Sequence, residues 1–341
     1  MAGVTPKSML AGFLQALDGP APLVILPHDN PDPDAMASAA AIKYLVHALL
    51  DKEAVIAQGG IVGRAENRAM LTYLNIDLKP VATLALNSRL QIVLVDTQPG
   101  RSNNSLLPGV VPTAVIDHHP AYACYEGIKF LDLREDYGAT STIVTEYVRD
   151  SHLEVESKIA TALFYGISAE TQDLGREATP ADIAAAQFLY PYTNKRRLAK
   201  IENARVPRVY FRAFHDAIER AVVYDHVIIS ILPEVQYPDM VAEVADFLLR
   251  LDEVEWACAI GVFDGNLHVS LRTTDRDVNA GDLLRQVLGS DHAGGHDMTA
   301  GGHVRIGTAG PTAAAVAAAG VRERLLATLG SSGASSRPLV V

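Results

Sequence analysis

Cysteine is nearly missing from this chain. Only Cys124 and Cys258 occur, far apart and without metal-ligand spacing. A disulfide framework is therefore excluded, and two ordinary core residues in a reducing cytosol are expected. Basic charge is also in deficit: 29 Lys and Arg stand against 40 Asp and Glu, a formal net charge of −11. Sequence-independent binding of long nucleic acid needs a basic stripe, which is absent. A small anionic substrate stays compatible, because bound divalent cations would invert the local field. Aromatics make up 6% of the chain, with a single Trp, too scattered for a base-stacking platform. No apolar run suits a membrane span; Ala313 to Ala319 is too short and too Ala-rich. The beginning of the sequence lacks the charged-then-apolar pattern of a signal peptide. The expectation is a soluble cytoplasmic protein without internal repeats.

What is present is a hydrophobic fraction of 49% in 341 residues, enough for two cores. Apolar runs at Leu23 to Leu26, Gln91 to Val95 and Ala114 to Ile116 read as buried parallel strands. Helical patterns follow at Ala35–Leu50, Arg64–Leu74, Gly138–Asp150, Lys158–Ile167 and Thr179–Leu189. The repeated order of strand, polar residue and helix predicts an α/β fold with a doubly wound, mainly parallel sheet. From Pro191 the composition turns to Asn, Lys and Arg, and strands restart at Val227–Leu232, Trp256–Val262 and Leu267–Leu271. This predicts a first domain over 1–190, a partly helical linker over 191–221 and a smaller α/β domain over 222–330. A Ser/Gly-rich tail, 331–341, is expected to be disordered.

The most informative stretch runs from His28 to Ser38, in the turn after the first strand. Pro31 and Pro33 stiffen it and favour extended geometry at the residues before them. In an extended turn, His28, Asp32 and Asp34 could share one side. Imidazole and carboxylate donors together suit Mn²⁺ or Mg²⁺. The alternative is a polar turn in which Asp29 or Asp34 caps the next helix. Three further segments place acids or histidines just past apolar elements: Asp96, Asp117-His118-His119, and Glu170 with Asp173. Four such segments in one domain point to a dinuclear metal site at the carboxyl edge of the sheet.

These motifs resemble those of the DHH phosphoesterases. His28-x-Asn30-Pro31-Asp32-x-Asp34-x-x-x-Ser38 is similar to the family's first motif, Asp96 to its second and Asp117-His118-His119 to its third. In the other half, Ala293-Gly294-Gly295-His296-Asp297-Met298-Thr299-Ala300-Gly301 resembles the signature of the accompanying domain in the nuclease branch. The resemblance implies that residues 1–190 form the metal-binding catalytic domain and 222–330 a substrate-binding domain. It implies one metal held by His28, Asp32 and Asp96, and a second held by Asp34, Asp96, His118 and an acid of the fourth motif. His119 would face the substrate phosphate and Asp117 would support the histidine pair. Arg272, Gly294, Gly295 and His296 would bind substrate.

Two departures stand out. Where the family usually has Thr-Asp-Thr, this chain has Ala169-Glu170-Thr171, making Glu170 the expected ligand and Asp173 the fallback. Ala293 and Thr299 replace Gly and Ala. Both bear on substrate identity more than on chemistry. The implied activity is two-metal attack of water on phosphorus, in short oligonucleotides or small nucleotide phosphates. The branch most resembled is that of short oligoribonucleases and 3′-phosphoadenosine 5′-phosphate phosphatases. A cyclic-dinucleotide phosphodiesterase, an exopolyphosphatase and a catalytically weak nucleotide-binding regulator are the alternatives. The cofactors implied are two Mn²⁺ or Mg²⁺. The partner is a short oligonucleotide or small nucleotide, with neither long duplex nor membrane; the resemblance leaves a homodimer open.

Overall fold

The computed structural model describes residues 6–122, 125–175, 178–296, 298–307 and 310–340. Cys124, Arg176 and Asp297 lie outside them. The chain divides into two compact units, Met1–Ala204 and Arg205–Val341, the boundary falling inside the stretch read as a linker.

Unit 1 contains α1 (Pro6–Ala16), β1 (Leu23–Pro27), α2 (Pro33–Leu50), β2 (Ala54–Gln58), α3 (Ala65–Leu74), β3 (Leu78–Pro80), β4 (Gln91–Val95), β5 (Ala114–Asp117) and β6 (Phe130–Leu133). Four helices follow: α4 (Thr140–Asp150), α5 (Ser157–Glu170), α6 (Pro180–Leu189) and α7 (Lys195–Glu202). All six strands are parallel, in the order β3-β2-β1-β4-β5-β6. The central strands β1, β4 and β5 are buried at every residue, as their unbroken apolar sequences require. Strands β3 and β6, which apolar runs did not announce, complete the two edges.

The larger core of unit 1 joins one sheet face to the helices, with Phe13, Met36, Ile42, Ile143, Tyr147 and Leu163 inside it. The opposite face carries Val24, Leu26, Ile92, Leu94 and Val115, closed over by Val81, Leu84, Leu106 and Val110. Val81 and Leu84 belong to a short 3₁₀ turn and the loop before β4, and Leu106 and Val110 to the β4–β5 connection, which is too rich in Asn, Ser, Pro and Gly for a helix. Helix α6 begins as its sequence predicts: Pro180 opens the first turn and the Thr179 N–H donates to Asp182 at 2.7 Å. Leu198 and Ile201 of α7 are buried in the unit 1 core, so this part of the predicted linker is packed structure.

Unit 2 contains α8 (Arg208–Glu219), β7 (Val222–Tyr224), β8 (Val227–Leu232), α9 (Met240–Leu248), β9 (Trp256–Phe263) and β10 (Asn266–Thr273). It ends with α10 (Ala280–Leu288), β11 (Ala293–His296), β12 (Thr299–Arg305), α11 (Pro311–Thr328) and β13 (Ser336–Pro338). Its sheet runs β11-β12-β10-β9-β8-β7-β13 and is antiparallel except between β8 and β9. Helices α10 and α11 cover one face through Leu284, Val321 and Leu325; α8 and α9 cover the other through Ala217, Met240 and Val244. Asp264 and Gly265, both at positive φ, turn β9 into β10.

The tail departs from its expected disorder, since β13 pairs with β7 and the Leu339 N–H donates to Ala221 at 2.9 Å. Main-chain pairing needs no apolar side chains, so a Ser/Gly composition does not report it. Among the described residues no helix is long and apolar enough to cross a membrane.

Candidate metal centre

The carboxyl ends of β1, β4 and β5 bring three of the singled-out segments together. After β1, Asn30 takes a left-handed conformation (φ 55°) and its side chain accepts from the Ile61 N–H at 2.9 Å. The turn delivers His28 with its Nδ1–H donating to the Asp29 carbonyl at 2.9 Å. The imidazole therefore presents Nε2 inward, 3.5 Å from both Asp32 and Asp96. Asp32, rather than Asp29 or Asp34, is the N-cap of α2, accepting from the Ala35 N–H at 2.9 Å. The helix starts two residues earlier than its apolar pattern suggested because Pro33 supplies a ready first-turn φ. Asp32 thus has one oxygen on the helix and the other toward His28.

Asp34 is 1% exposed and is held from a distant part of the chain. Its carboxylate oxygens accept from the Thr140 and Ser141 N–H groups at 2.7 and 2.6 Å. The first turn of α4 thereby cradles the anion with its unsatisfied amides. Thr140 also donates its hydroxyl to Asp96 at 2.8 Å. Gly166 permits this approach, because a Cβ there would stand 2.4 Å from Ser141 Oγ. Asp96, just past β4, is 2% exposed and left-handed at φ 59°, a strained position that aims its carboxylate into the cluster. Neither Thr140 nor Ser141 was singled out from the sequence; the available signal was a small-residue helix start, Gly138-Ala139-Thr140-Ser141.

At the end of β5, Asp117 is fully buried and accepts from His119 Nδ1 at 2.8 Å. The neighbouring His118 donates Nδ1–H to the Tyr137 carbonyl at 3.0 Å. Tyr137 is itself fixed, its hydroxyl 3.0 Å from both Arg134 and Glu146, while Arg134 makes a two-point pair with Asp132. His118 Nε2 is buried and, among the described residues, has no hydrogen-bond partner. Donor atoms of His28, Asp32 and Asp96 lie within 4.8 Å of one another, and so do those of Asp96, His118 and His119. Asp96 is common to both groups. Asp34 and Glu170 fall in neither, yet both act electrostatically on His118.

Electrostatics tie Glu170 to the cluster. Burial and the Asp32 carboxylate raise its pKa to about 7, with Asp34 and Asp96 adding to the effect. Asp173 instead turns away: it is exposed, left-handed at φ 56°, and accepts from the Ser168 hydroxyl. Burial, then Asp34 and Asp32, raise Asp96 well above the carboxylate range. Burial also raises Asp34. Burial opposes charge on the imidazoles, but Asp32 and Asp96 overcome it to bring His28 to about 10, and Asp96 and Asp34 bring His118 to about 9. Burial would raise Asp32 and Asp117 as well, but His28 holds Asp32 below its ordinary range and His119 does the same for Asp117. Carboxylates of Asp34, Asp96 and Glu170 pushed toward holding their protons, beside an imidazole nitrogen with no hydrogen-bond partner among the described residues, are a donor set short of positive charge. The mixture of imidazole and carboxylate fits divalent cations of the Mn²⁺ and Mg²⁺ kind.

The residues assigned to substrate from the second half lie in unit 2. Arg272 on β10 pairs with Asp246 at 2.5 Å and donates to Ser270 Oγ and the Leu271 carbonyl at 2.8 and 3.0 Å. Gly294 and Gly295 belong to β11, paired with Gly301 and Ala300 of β12. Gly295 is required by its conformation: φ is 144°, and a Cβ would meet the Thr299 carbonyl at 2.3 Å. The His296 side chain lies outside the described residues. The sequence showed this segment only as Gly-rich, whereas it forms an antiparallel pair of strands.

Comparison with known proteins matches the model of the DHH family, N-terminal domain, to residues 22–167, and that of the DHHA1 domain to residues 225–320. An uncharacterized protein of Methanocaldococcus jannaschii is 34% identical over 289 residues, 84% of this chain and 59% of that protein. A probable manganese-dependent inorganic pyrophosphatase of Enterococcus faecalis is 30% identical over 169 residues, 49% of this chain and 54% of its own. The chain therefore spans less than two thirds of the length of either relative. The crystal structure of an exopolyphosphatase-related protein from Bacteroides fragilis superposes with a TM-score of 0.71 at 14% identity, covering 96% of this chain and 100% of that one. At that identity the likeness concerns the fold. With the two domain models matched in succession, one on each compact unit, the chain belongs to the DHH family.

Proposed function

We propose that this protein is a divalent-metal-dependent phosphoesterase acting on short oligonucleotides or small nucleotide phosphates. The observation that carries this is the sharing of Asp96 between two donor groups, with His119 braced by Asp117 alongside. His28, Asp32 and Asp96 would hold one cation; Asp34, Asp96, His118 and Glu170 would hold the other. Asp34 can serve although both oxygens accept amides, because a carboxylate oxygen carries a second lone pair. The burial and electrostatic coupling of Glu170 support it over Asp173. Relatives named as manganese-dependent support Mn²⁺ as the metal.

Bound cations supply charge neutralisation at the phosphoryl group and a more acidic water. The protein's own part is to place donors and hold protons. His28 and His118 turn Nε2 to the cluster because main-chain carbonyls hold the other nitrogen. We assign His119, with Nδ1–H held on Asp117, to face a phosphoryl or leaving oxygen. We assign recognition of the rest of the substrate to Arg272, Gly294, Gly295 and His296. Arginine suits two-point grip of a phosphate, and an exposed glycine backbone lets an anion approach its amides. A cytoplasmic setting agrees with a free, buried Cys258.

The test is hydrolysis by the Mn²⁺-loaded protein of di- to pentaribonucleotides, adenosine 3′,5′-bisphosphate, cyclic dinucleotides, pyrophosphate and polyphosphate, with D34A as control. Turnover of a nucleotide class, lost in D34A, is expected. Turnover of pyrophosphate or polyphosphate alone would replace the substrate assignment. Silence across the panel with both cations bound would overturn the enzyme reading in favour of a nucleotide-binding regulator.

A further inference from the structure

Two residues beyond Asp96, Gln98 is fully buried in a protein whose loops otherwise keep their amides near solvent. Its Nε2 donates to Asp117 Oδ2 at 2.7 Å and lies 3.1 and 3.2 Å from the carbonyls of His119 and Pro120. Its Oε1 accepts from the Tyr122 N–H at 2.9 Å and from the Tyr125 hydroxyl at 2.6 Å. The orientation is unambiguous, because carbonyls only accept and a main-chain N–H only donates. Asp117 in turn uses its other oxygen for the N–H and Nδ1 of His119, at 3.2 and 2.8 Å. Asp117 therefore has donors on both oxygens, one from Gln98 and the others from the histidine.

We propose that Gln98 is a positioning residue for the proposed phosphoester hydrolysis: through Asp117 it fixes the ring plane and the Nδ1-protonated form of His119. The inference rests on the reading of His119 as the group that faces the substrate phosphate. Both ends of the amide tie the loop after β4 to the loop after β5, the oxygen through Tyr122 and Tyr125 and the nitrogen through the His119 and Pro120 carbonyls, and the nitrogen alone also reaches Asp117. A carboxylate at 98 keeps the acceptor end for Tyr122 and Tyr125 but sets a repelling oxygen against Asp117. Methionine removes both ends at similar length.

The experiment uses full-length protein and the variants Q98E, Q98M, D117N and Q98E/D117N. Each is measured for kcat and KM on a hydrolysed dinucleotide, for Mn²⁺ affinity by calorimetry, and for the His119 Nδ1–H signal by proton–nitrogen NMR without metal. Removing such a supporting contact lowers kcat on the order of 10-fold in Q98M and 100-fold in Q98E, with KM and Mn²⁺ affinity near wild type. The Nδ1–H signal is present in wild type and lost in Q98E. In the D117N background Q98E causes no further loss, since the residue it acts through has lost its charge. Equal multiplicative losses in both backgrounds, or parallel losses of KM and Mn²⁺ affinity, would reduce Gln98 to a loop tie and overturn the proposal. An unchanged Nδ1–H signal in Q98E overturns it as well. Should Q98E not fold, Q98M with the same kcat and NMR readouts decides. If the wild type hydrolyses nothing while Q98E loses the signal, the functional reading fails and the positioning of His119 stands.

Discussion

Asp96 concentrates the chemistry of unit 1 in one side chain. It sits at left-handed φ, where Asn is nearly as well accommodated, so Asp96→Asn removes charge with little backbone cost. Two effects of opposite sign are expected. D96N abolishes the stabilisation that Mn²⁺ confers, because both donor groups lose their common carboxylate, and activity falls by more than about 1,000-fold. Without metal, the same variant melts at a higher temperature than wild type at pH 8, because the cost of burying Asp96 beside Asp34 and Asp32, or of protonating it there, is gone. Thermal melts with EDTA and with Mn²⁺ check both.

The pH response of the metal-free protein follows from groups at the same site. Glu170 rises from 4.5 to about 7, and His28 and His118 rise from 6.5 to about 10 and about 9. Groups with raised folded values contribute stability that is full below the unfolded value and lost as pH climbs through the folded one. Metal-free stability therefore declines from about pH 5 upward through pH 7 for Glu170, and from about pH 6.5 toward 9–10 for the histidines. Mn²⁺ affinity moves the opposite way, strengthening with pH as protons leave the ligands. Melts in EDTA from pH 5 to 9, and calorimetry in buffers of different ionisation heat, read the two trends; a flat metal-free profile would refute them.

At the scale of elements, the meeting of α2, α4 and α5 decides where Asp34 points. The first turn of α4 holds the carboxylate, and Gly166 of α5 leaves room for Ser141. Gly166→Ala drives a methyl into that contact. It is expected to destabilise the fold by about 1–3 kcal/mol, the usual cost of overpacking, and to weaken Mn²⁺ binding. Urea unfolding and metal titration measure these; wild-type stability in G166A would mean that the helices shift apart freely. The strand ends act similarly. Each central strand ends at a polar residue, His28, Asp96 or Asp117, so the parallel sheet lines up these side chains from segments far apart in the chain.

On the scale of the whole molecule, the two units carry separable properties. The residues assigned to the two cations lie in unit 1, and Arg272, Gly294, Gly295 and His296, assigned to substrate recognition, lie in unit 2. Arg272→Ala is accordingly expected to raise KM on the order of 10- to 100-fold while Mn²⁺ affinity and stoichiometry stay unchanged. Because Arg272 also bonds Asp246, Ser270 and Leu271, its removal lowers stability modestly as well, and a melt run beside the kinetics separates the two effects. A loss of cation binding in R272A would contradict the division of labour.

Much of this was legible in the sequence, because it is local. Unbroken apolar runs ending in His28, Asp96 and Asp117 mark central parallel strands and their edge, whatever packs around them. The Thr179-Pro180 start of α6 and the Asp264-Gly265 turn are set by neighbouring residues alone. Tertiary structure decided what depends on distant partners. The clamp on Asp34 joins residues 106 apart in the chain, and no local pattern reports it. Gln98 reads as a loop residue until folding buries it against Asp117, and the pairing of β13 uses main-chain groups that side-chain composition does not reveal. Side-chain identity sets which groups can carry the chemistry; burial and long-range hydrogen bonds set their direction and their protons.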